Sequence, residues 1–328
     1  MRKIFVVILL LVLIGLIFYI NEYVYQEKCP AKILSQNISG EKEIYKGVYM
    51  PTLSASSLRE DYRPYSFNLD KAAENGINTL AFGPMFYVND KGEVWLVPET
   101  KEFLISFIKK AQSKDFRIWL IPEVMFPEPD LKQKFFHGVP GPIPNEILEN
   151  TDFMQNLDSA VIEWAKIAEE LKIDIFSPLN EADNKLGIEK RVSWLEEIKP
   201  KIEAVYSGKI CLKGEWNTSA FNNSYSCFAP TIGTPENEEE KNKLAITINN
   251  LAEDAKNRNL ELIIGEIWSG PGWKGREKSK KVYAMALEAC KGKVDGVFIL
   301  DTIGSRFFPA PAGFEDFKCV VREFYTQN

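Results

Sequence analysis

The chain has 328 residues, of which 45% are hydrophobic and 26% charged, and its net charge is −6. This composition is typical of a globular protein with a sizeable core, and it excludes a chain that is mainly disordered. The negative charge and the lack of a basic stripe interleaved with aromatic residues argue against nucleic acid as a partner. The length suits either one barrel or two small domains, so the pattern of elements has to decide between them.

The chain begins with an apolar segment. Arg2 and Lys3 precede an uncharged run over residues 4–20, which is close to the shortest length that spans a bilayer. The residues after Ile20 lack the small-residue pair that a signal peptidase needs, so residues 1–20 are predicted to be an uncleaved transmembrane helix in contact with the lipid bilayer. The alternative is a cleaved signal segment, which would leave the protein secreted. The cations on its N-terminal side predict that the N-terminus lies in the cytoplasm and the rest outside. Polar residues 21–43 are interpreted as a stalk.

The remaining residues, 44–328, alternate between short apolar runs and longer stretches with helical spacing, which is typical of successive βα units. Most runs are continuously apolar, as expected for parallel strands that are covered on both faces. The alternation predicts one (β/α)8 barrel of the TIM type. The predicted strands are residues 45–50, 78–86, 117–124, 173–181, 209–215, 225–233, 261–268 and 295–304. The predicted helices are residues 99–114, 152–171, 188–206, 236–257, 276–291 and 314–325.

Two connections depart from a regular barrel. Residues 216–224 leave little room for a full helix between the fifth and sixth strands. Residues 126–150 form a long loop with several prolines after the third strand, and loops of that length are usually functional. The cysteines at positions 29, 211, 227, 290 and 319 do not reveal their connectivity and have no metal-ligand spacing. No metal site and no cofactor is predicted.

Acidic residues end five of the eight predicted strands. Because parallel strands of a barrel end at one mouth, these side chains would repel each other unless a ligand, a proton or a metal uses them. Any one of them could simply cap the following helix, but their number predicts an active site at this mouth. The five residues are Glu123, Glu181, Glu215, Glu266 and Asp301.

The ends of the fourth and seventh strands carry the most specific signal. The fourth ends in Asn180-Glu181 and the seventh in Glu266, 85 residues further on (266 − 181). This pattern resembles the retaining glycoside hydrolases of the clan A barrel superfamily, which includes mannanases and cellulases. The resemblance implies a two-glutamate double displacement on a β-linked polysaccharide or surface glycan, with Glu181 as acid/base and Glu266 as nucleophile. It also implies that Asn180 hydrogen-bonds the 2-hydroxyl of the sugar.

A carbohydrate substrate also needs apolar surfaces against which sugar rings stack, together with polar groups that orient the sugar. Trp268, two residues beyond Glu266, is the leading candidate for a stacking platform. The predicted substrate contacts at the mouth are Trp268, Trp273, Trp216, Phe86, Glu123 and Asp301.

Other functions remain open. Members of the resembled superfamily commonly have an aromatic residue at the end of strand eight and a Tyr or His near the end of strand six, and neither is evident here. A non-catalytic glycan-binding barrel is therefore the main alternative. A divalent-metal enzyme with oxygen ligands and a lyase that forms a Schiff base on Lys213 are further ones. The oxygen ligands of the metal enzyme would be Glu123, Glu181, Glu215 and Asp301. His137, the only histidine, lies in the long loop, which argues against Ser-His-Asp hydrolysis.

Overall fold

The structure is a computed structural model that describes residues 44–51, 69–96, 98–126, 143–214, 225–268, 276–300 and 314–327. Parallel strands form a closed barrel, as predicted. The predicted membrane segment (residues 1–20) and stalk (residues 21–43) lie outside these ranges. None of the helices within them is long and apolar enough to cross a membrane.

The wall of the barrel has eight strand positions, called staves below. Each stave lies close to one of the eight predicted apolar runs. Going around the barrel, they are β1, β2, β5, β7, β8, β9 with β10, β11 and β12, and β12 pairs with β1 to close the ring. The strands are β1 Tyr45–Tyr49, β2 Thr79–Phe82, β3 Met85–Val88, β4 Val94–Trp95, β5 Arg117–Leu120, β6 Glu123–Met125, β7 Ile175–Phe176, β8 Lys209–Lys213, β9 Cys227–Ala229, β10 Thr231–Gly233, β11 Glu261–Trp268 and β12 Gly296–Leu300.

The sixth stave is interrupted at Pro230. Its two parts, β9 and β10, both pair with β11. Proline has no N–H group to donate to the ladder, so the strand divides at that residue. Thr231 is then the first residue of β10, at the mouth of the barrel.

The described residues contain a helix in each of the six predicted helical stretches and three further short helices. Buried apolar side chains on their inner faces pack against the outside of the barrel to form the larger core. The helices are α1 Leu69–Glu74, α2 Pro98–Gln112, α3 Asn145–Leu148, α4 Thr151–Glu170, α5 Ala182–Leu186, α6 Ile188–Glu203, α7 Glu238–Asn257, α8 Arg276–Cys290 and α9 Phe314–Gln327. The predicted short connection at residues 216–224 lies outside the described residues.

A second, smaller core fills the inside of the barrel. Trp119 meets Phe298 edge-on with ring centroids 4.9 Å apart, and its indole N–H donates to Ser177 at 2.9 Å. Cys211 and Cys227 lie opposite each other in β8 and β9 and form a disulfide. Because alternate residues of a strand face the same side, the residue two positions beyond Cys211 also faces inward.

A small three-stranded sheet continues β2 and β5 beyond the carboxyl end of the barrel, and it corrects one prediction. After β2 the chain passes through Gly83-Pro84 into β3, which pairs with β4 and β6. A Cβ atom at Gly83 would lie 1.9 Å from the carbonyl oxygen of Ile121, so only glycine permits this approach. Phe86, which we predicted to contact substrate, lies in β3 and is buried in the outer core with 1% exposure. It therefore does not face the mouth.

Candidate active site

Six polar side chains from five staves and their extensions converge at the carboxyl end of the barrel. They belong to β6, the segment after β7, β8, β10 and β11. All of the strands involved point the same way, so their ends meet at one mouth. The six residues are Glu123, Asn180, Glu181, Lys213, Thr231 and Glu266.

Glu181 has an unusual backbone conformation, with φ 45° and ψ 57°. Its carboxylate accepts hydrogen bonds from the Thr231 hydroxyl at 2.9 Å and from the Asn184 amide at 2.9 Å. Gly214, at φ +89°, makes room for it, because a Cβ atom there would lie 2.7 Å from Glu181 Cγ. A left-handed conformation is unfavourable for a residue other than glycine, and it persists here because Gly214 and these hydrogen bonds hold Glu181 in place.

Glu266 faces the barrel interior because of an irregularity in β11. Ile263 is in the interior core and Ile264 in the outer core, so simple alternation would point residue 266 outward. The pairing of β11 with β12 shifts register between Ile264 and Ile267. A bulge at this point allows Gly265 and Glu266 both to face inward.

Lys213 lies between the two glutamates, and its side chain has no exposure to solvent. Its Nζ is 3.2 Å from Glu266 Oε2 and donates to Thr231 Oγ1 at 3.0 Å. The ammonium also lies 4.8 Å from the ring centroid of Tyr49. Since the Thr231 hydroxyl in turn donates to Glu181, one buried cation contacts Glu266 directly and Glu181 through a single hydroxyl group.

The surroundings of the two glutamates shift their pKa values in opposite directions. Burial by itself would raise the pKa of Glu181, but the charge of Lys213, the hydrogen bonds from Thr231 and Asn184 and the charge of Lys185 together lower it. Burial raises the pKa of Glu266, Lys213 opposes this rise, and the charge of Glu181 adds to it. Of the two carboxyl groups, Glu266 therefore has the higher pKa and Glu181 the lower. The resemblance implies the reverse order of proton affinity for these two residues.

Glu123 and Asn180 belong to a second buried network beside the pair. Glu123 is 3.0 Å from the Lys185 ammonium, and its other oxygen accepts from the Asn180 amide at 2.6 Å. Because an ionised carboxylate can only accept, the amide group of Asn180 must point its nitrogen at Glu123. Its Oδ1 is then a buried acceptor without a partner in the described part of the chain. Glu123 is 4% exposed, so its carboxylate supports Asn180 and does not face the open mouth.

Three residues of the site were missed by the sequence prediction or given another role. Lys185 and Thr231 carry no motif signal, and Lys213 was considered only as a possible Schiff-base lysine. The signal that could have found Lys213 is its spacing from Cys211, because both lie on the inward-facing side of a strand. Lys213 does face the barrel interior, where it is paired with Glu266.

The predicted aromatic contacts are only partly described by the structure. Trp268 is the last residue of β11, and it is 37% exposed. Trp216, Trp273, Glu215 and Asp301 lie outside the described residues. Within the described ranges, no three His, Cys, Asp or Glu side chains are grouped so that they could hold a metal ion.

No protein-family model matches the sequence, and no curated protein matches it either. Solved structures do match. A GH113 β-1,4-mannanase aligns with a TM-score of 0.63 at 14% identity, over 87% of this chain and 100% of the mannanase. The GH113 β-mannanase of Alicyclobacillus acidocaldarius aligns with a TM-score of 0.63 at 12% identity, over 87% and 98% of the two chains. A GH5-4 endoglucanase from Clostridium acetobutylicum aligns with a TM-score of 0.60 at 13% identity, over 90% and 100%.

This chain has the barrel fold of the clan A glycoside hydrolases. The resemblance drawn from Asn180, Glu181 and Glu266 is thus confirmed at the level of the fold. At identities this low, the alignments show a shared fold only. The chemistry therefore has to be argued from the site itself.

Proposed function

We propose that the chain is a retaining glycoside hydrolase that cleaves a β-linked polysaccharide or surface glycan with Glu181 and Glu266. The observation that carries the proposal is that the two glutamates share one buried ammonium, which Glu266 contacts directly and Glu181 contacts through the Thr231 hydroxyl. Double displacement needs two carboxyl groups at one mouth that hold a single proton between them.

In the proposed reaction, Glu181 protonates the departing glycosidic oxygen while the Glu266 carboxylate attacks the anomeric carbon. The resulting glycosyl ester is hydrolysed by a water molecule, which Glu181 deprotonates. In the site without substrate, Glu266 has the higher pKa of the two. The assignment therefore requires that substrate binding reverses this order, so that Glu181 holds the proton when the glycosidic bond is cleaved. Such a pair titrates as a unit, so one proton can serve either residue.

Two neighbouring features support a sugar as the substrate. The unpartnered Asn180 Oδ1 lies one residue before Glu181 and can accept from a sugar hydroxyl. The exposed Trp268 follows Glu266 on the same strand and offers a flat apolar face. The fold neighbours suggest that β-1,4-mannan and β-1,4-glucan should be the first polysaccharides tested.

The decisive experiment incubates the purified chain with β-1,4-mannan, β-1,4-glucan and surface glycans and measures the release of reducing ends. Glu181→Gln and Glu266→Gln should abolish turnover but still bind the glycan. Glu261→Gln is the matched control, since Glu261 lies on the same strand at the opposite end of the barrel, where it pairs with Lys209. Hydrolysis by the wild type that persists unchanged in both glutamine variants would refute the proposal.

A non-catalytic glycan-binding barrel is the second candidate, and one observation favours it. Both carboxyl oxygens of Glu181 accept hydrogen bonds that favour its ionised form, and its pKa is lowered, which opposes a role as proton donor. Binding of mannan or glucan oligosaccharides in calorimetry, without any release of reducing ends, would support this alternative. Loss of turnover on adding a chelator would instead indicate the divalent-metal enzyme, because the two-carboxylate mechanism needs no metal.

We further propose that residues 4–20 anchor the protein in a membrane with the barrel on the outer side. The apolar run and the two preceding cations support this orientation. The protein should then fractionate with membranes and resist carbonate extraction, and a protease added outside intact cells should degrade the barrel. Recovery in the cytosolic fraction would contradict the proposal.

A further inference from the structure

We propose that Lys213 is a positioning residue that fixes Glu181 and Glu266 relative to each other and sets the charge that the pair carries. This inference rests on the proposed function, because it gives the two glutamates a joint role. Removing an ammonium from water is costly unless ion pairs and hydrogen bonds replace the lost hydration.

The surroundings of Lys213 replace that hydration. Its Nζ reaches Glu266 at 3.2 Å, the Thr231 hydroxyl at 3.0 Å and the face of the Tyr49 ring at 4.8 Å. Three different strands provide these partners, so the ammonium ties together one end of the barrel interior. The negative face of an aromatic ring further stabilises a desolvated cation.

The backbone is adapted to this lysine as well as to Glu181. A Cβ atom at Gly265 would lie 2.7 Å from Lys213 Cδ and 2.8 Å from the carbonyl oxygen of Ala229, so glycine before Glu266 leaves room both for the lysine stem and for the neighbouring strand. Gly214, the residue after Lys213, leaves the corresponding space for Glu181. Close packing without side chains at both places indicates a defined position for the three charged groups.

The direction of the hydrogen bonds makes Lys213 control both carboxylates. An ammonium can only donate, so the Thr231 oxygen accepts from Lys213, and the hydroxyl hydrogen is free to donate to Glu181. Lys213 therefore acts directly on Glu266 and, through Thr231, on Glu181. Without this cation the two carboxylates would repel each other, and their spacing would change with their protonation.

Other charged groups also face the two glutamates, so the effect of Lys213 has to be distinguished from theirs. Among the described residues they are Glu123 from β6, Lys185 from α5 and the phenol of Tyr49 from β1. Glu123 and Lys185 contact each other at 3.0 Å, so their charges largely offset each other. Lys213 is the cation that contacts the pair, and its removal should change the titration of both glutamates.

The test follows the glutamate side-chain carboxyl carbons by NMR in the full-length chain labelled with ¹³C-glutamate, which requires no substrate. Spectra of Glu181→Gln and Glu266→Gln assign the two resonances. In Lys213→Met, both carboxyl groups should titrate at higher pH than in the wild type, because the cation that favours their ionised forms is gone. Lys209→Met is the matched control, since this lysine lies on the same strand and pairs with Glu261 at the other end of the barrel. It should leave both titrations unchanged.

A second pair of variants keeps the test decisive if Lys213→Met does not fold. Thr231→Val removes the hydroxyl that connects Lys213 to Glu181. This change should raise the pKa of Glu181 but not that of Glu266. Thr231→Ser retains the hydroxyl and should restore wild-type behaviour. A folded Lys213→Met variant in which both resonances titrate as in the wild type would overturn the inference. If Lys213→Met does not fold, an unchanged Glu181 titration in Thr231→Val would overturn it.

Activity provides an independent readout where a hydrolysed glycan has been found. Lys213→Met should lower kcat/KM about 100-fold, as expected for displaced reacting groups. The loss should fall on kcat more than on KM, because a side chain without solvent exposure does not touch the bound sugar. The pH profile should also move to higher pH. If no glycan is hydrolysed by the wild type, the proposed function fails but the titration result still decides the role of Lys213.

Discussion

The buried ion pair between Glu123 and Lys185 allows a quantitative test of how the mouth is held together. Their side chains are 5% and 3% exposed, and the two charges are 3.0 Å apart. Lys185→Met would leave the carboxylate of Glu123 buried without its counter-ion. Removing one partner of a buried pair costs about 3–5 kcal/mol. We therefore expect a loss of that size in the free energy of unfolding at pH 7, measured by urea denaturation.

The double variant Glu123→Gln/Lys185→Met distinguishes the ion pair from simple packing. The neutral amide introduced at position 123 needs no counter-ion, and its carbonyl oxygen can still accept from Asn180. Replacing both charges should therefore recover most of the stability, leaving a loss below about 2 kcal/mol. A loss below about 1 kcal/mol in Lys185→Met, well under the range expected for a broken buried pair, would refute the reasoning. It would also be refuted if the double variant were as unstable as the single one.

Further predictions concern the glycine beside Glu181, the coupling of the two glutamates and a buried phenol. Gly214→Ala should cost about 1–2 kcal/mol of backbone strain and lower kcat/KM about 100-fold by displacing Glu181. Gly292 has φ +69°, and a Cβ atom added there would have nothing within 4 Å. Gly292→Ala should therefore lose only the free energy of backbone strain in urea denaturation. Glu181→Gln should lower the pKa of Glu266 in an NMR titration, because the charge of Glu181 raises it; an unchanged titration would exclude that coupling. Tyr325→Phe should cost about 1–2 kcal/mol in urea denaturation, since its hydroxyl contacts two strand carbonyls at 2.8 Å.

The barrel was predictable because its signal is spread over many residues. Eight continuously apolar runs, separated by stretches of helical spacing, fit parallel strands covered by helices. One detail failed because the alternation of side chains was not applied to it. Phe86 lies four residues after Phe82, on the same side of the chain, so it is buried in the outer core with Phe82 instead of facing the mouth.

The location of the site was predictable from the position of the acids, but their environment was not. Glu123, Glu181 and Glu266 could be assigned to one mouth because parallel strands end on the same side. Nothing in the sequence indicates that Glu123 pairs with Lys185 from α5, or that Thr231 lies between Lys213 and Glu181. These contacts join residues that are distant in the chain, so they are determined by the closure of the barrel.

The amino-acid sequence by itself determined the fold class and the two strand-end glutamates, since both depend on local periodicity and on the order of elements. Only the tertiary structure decided which way Glu266 points, because a bulge in β11 overrides the alternation of side chains. The tertiary structure also decided the charge of the site. Lys213 becomes a buried partner of both carboxylates only when β8, β10 and β11 are brought together, and proton affinity depends on such through-space neighbours.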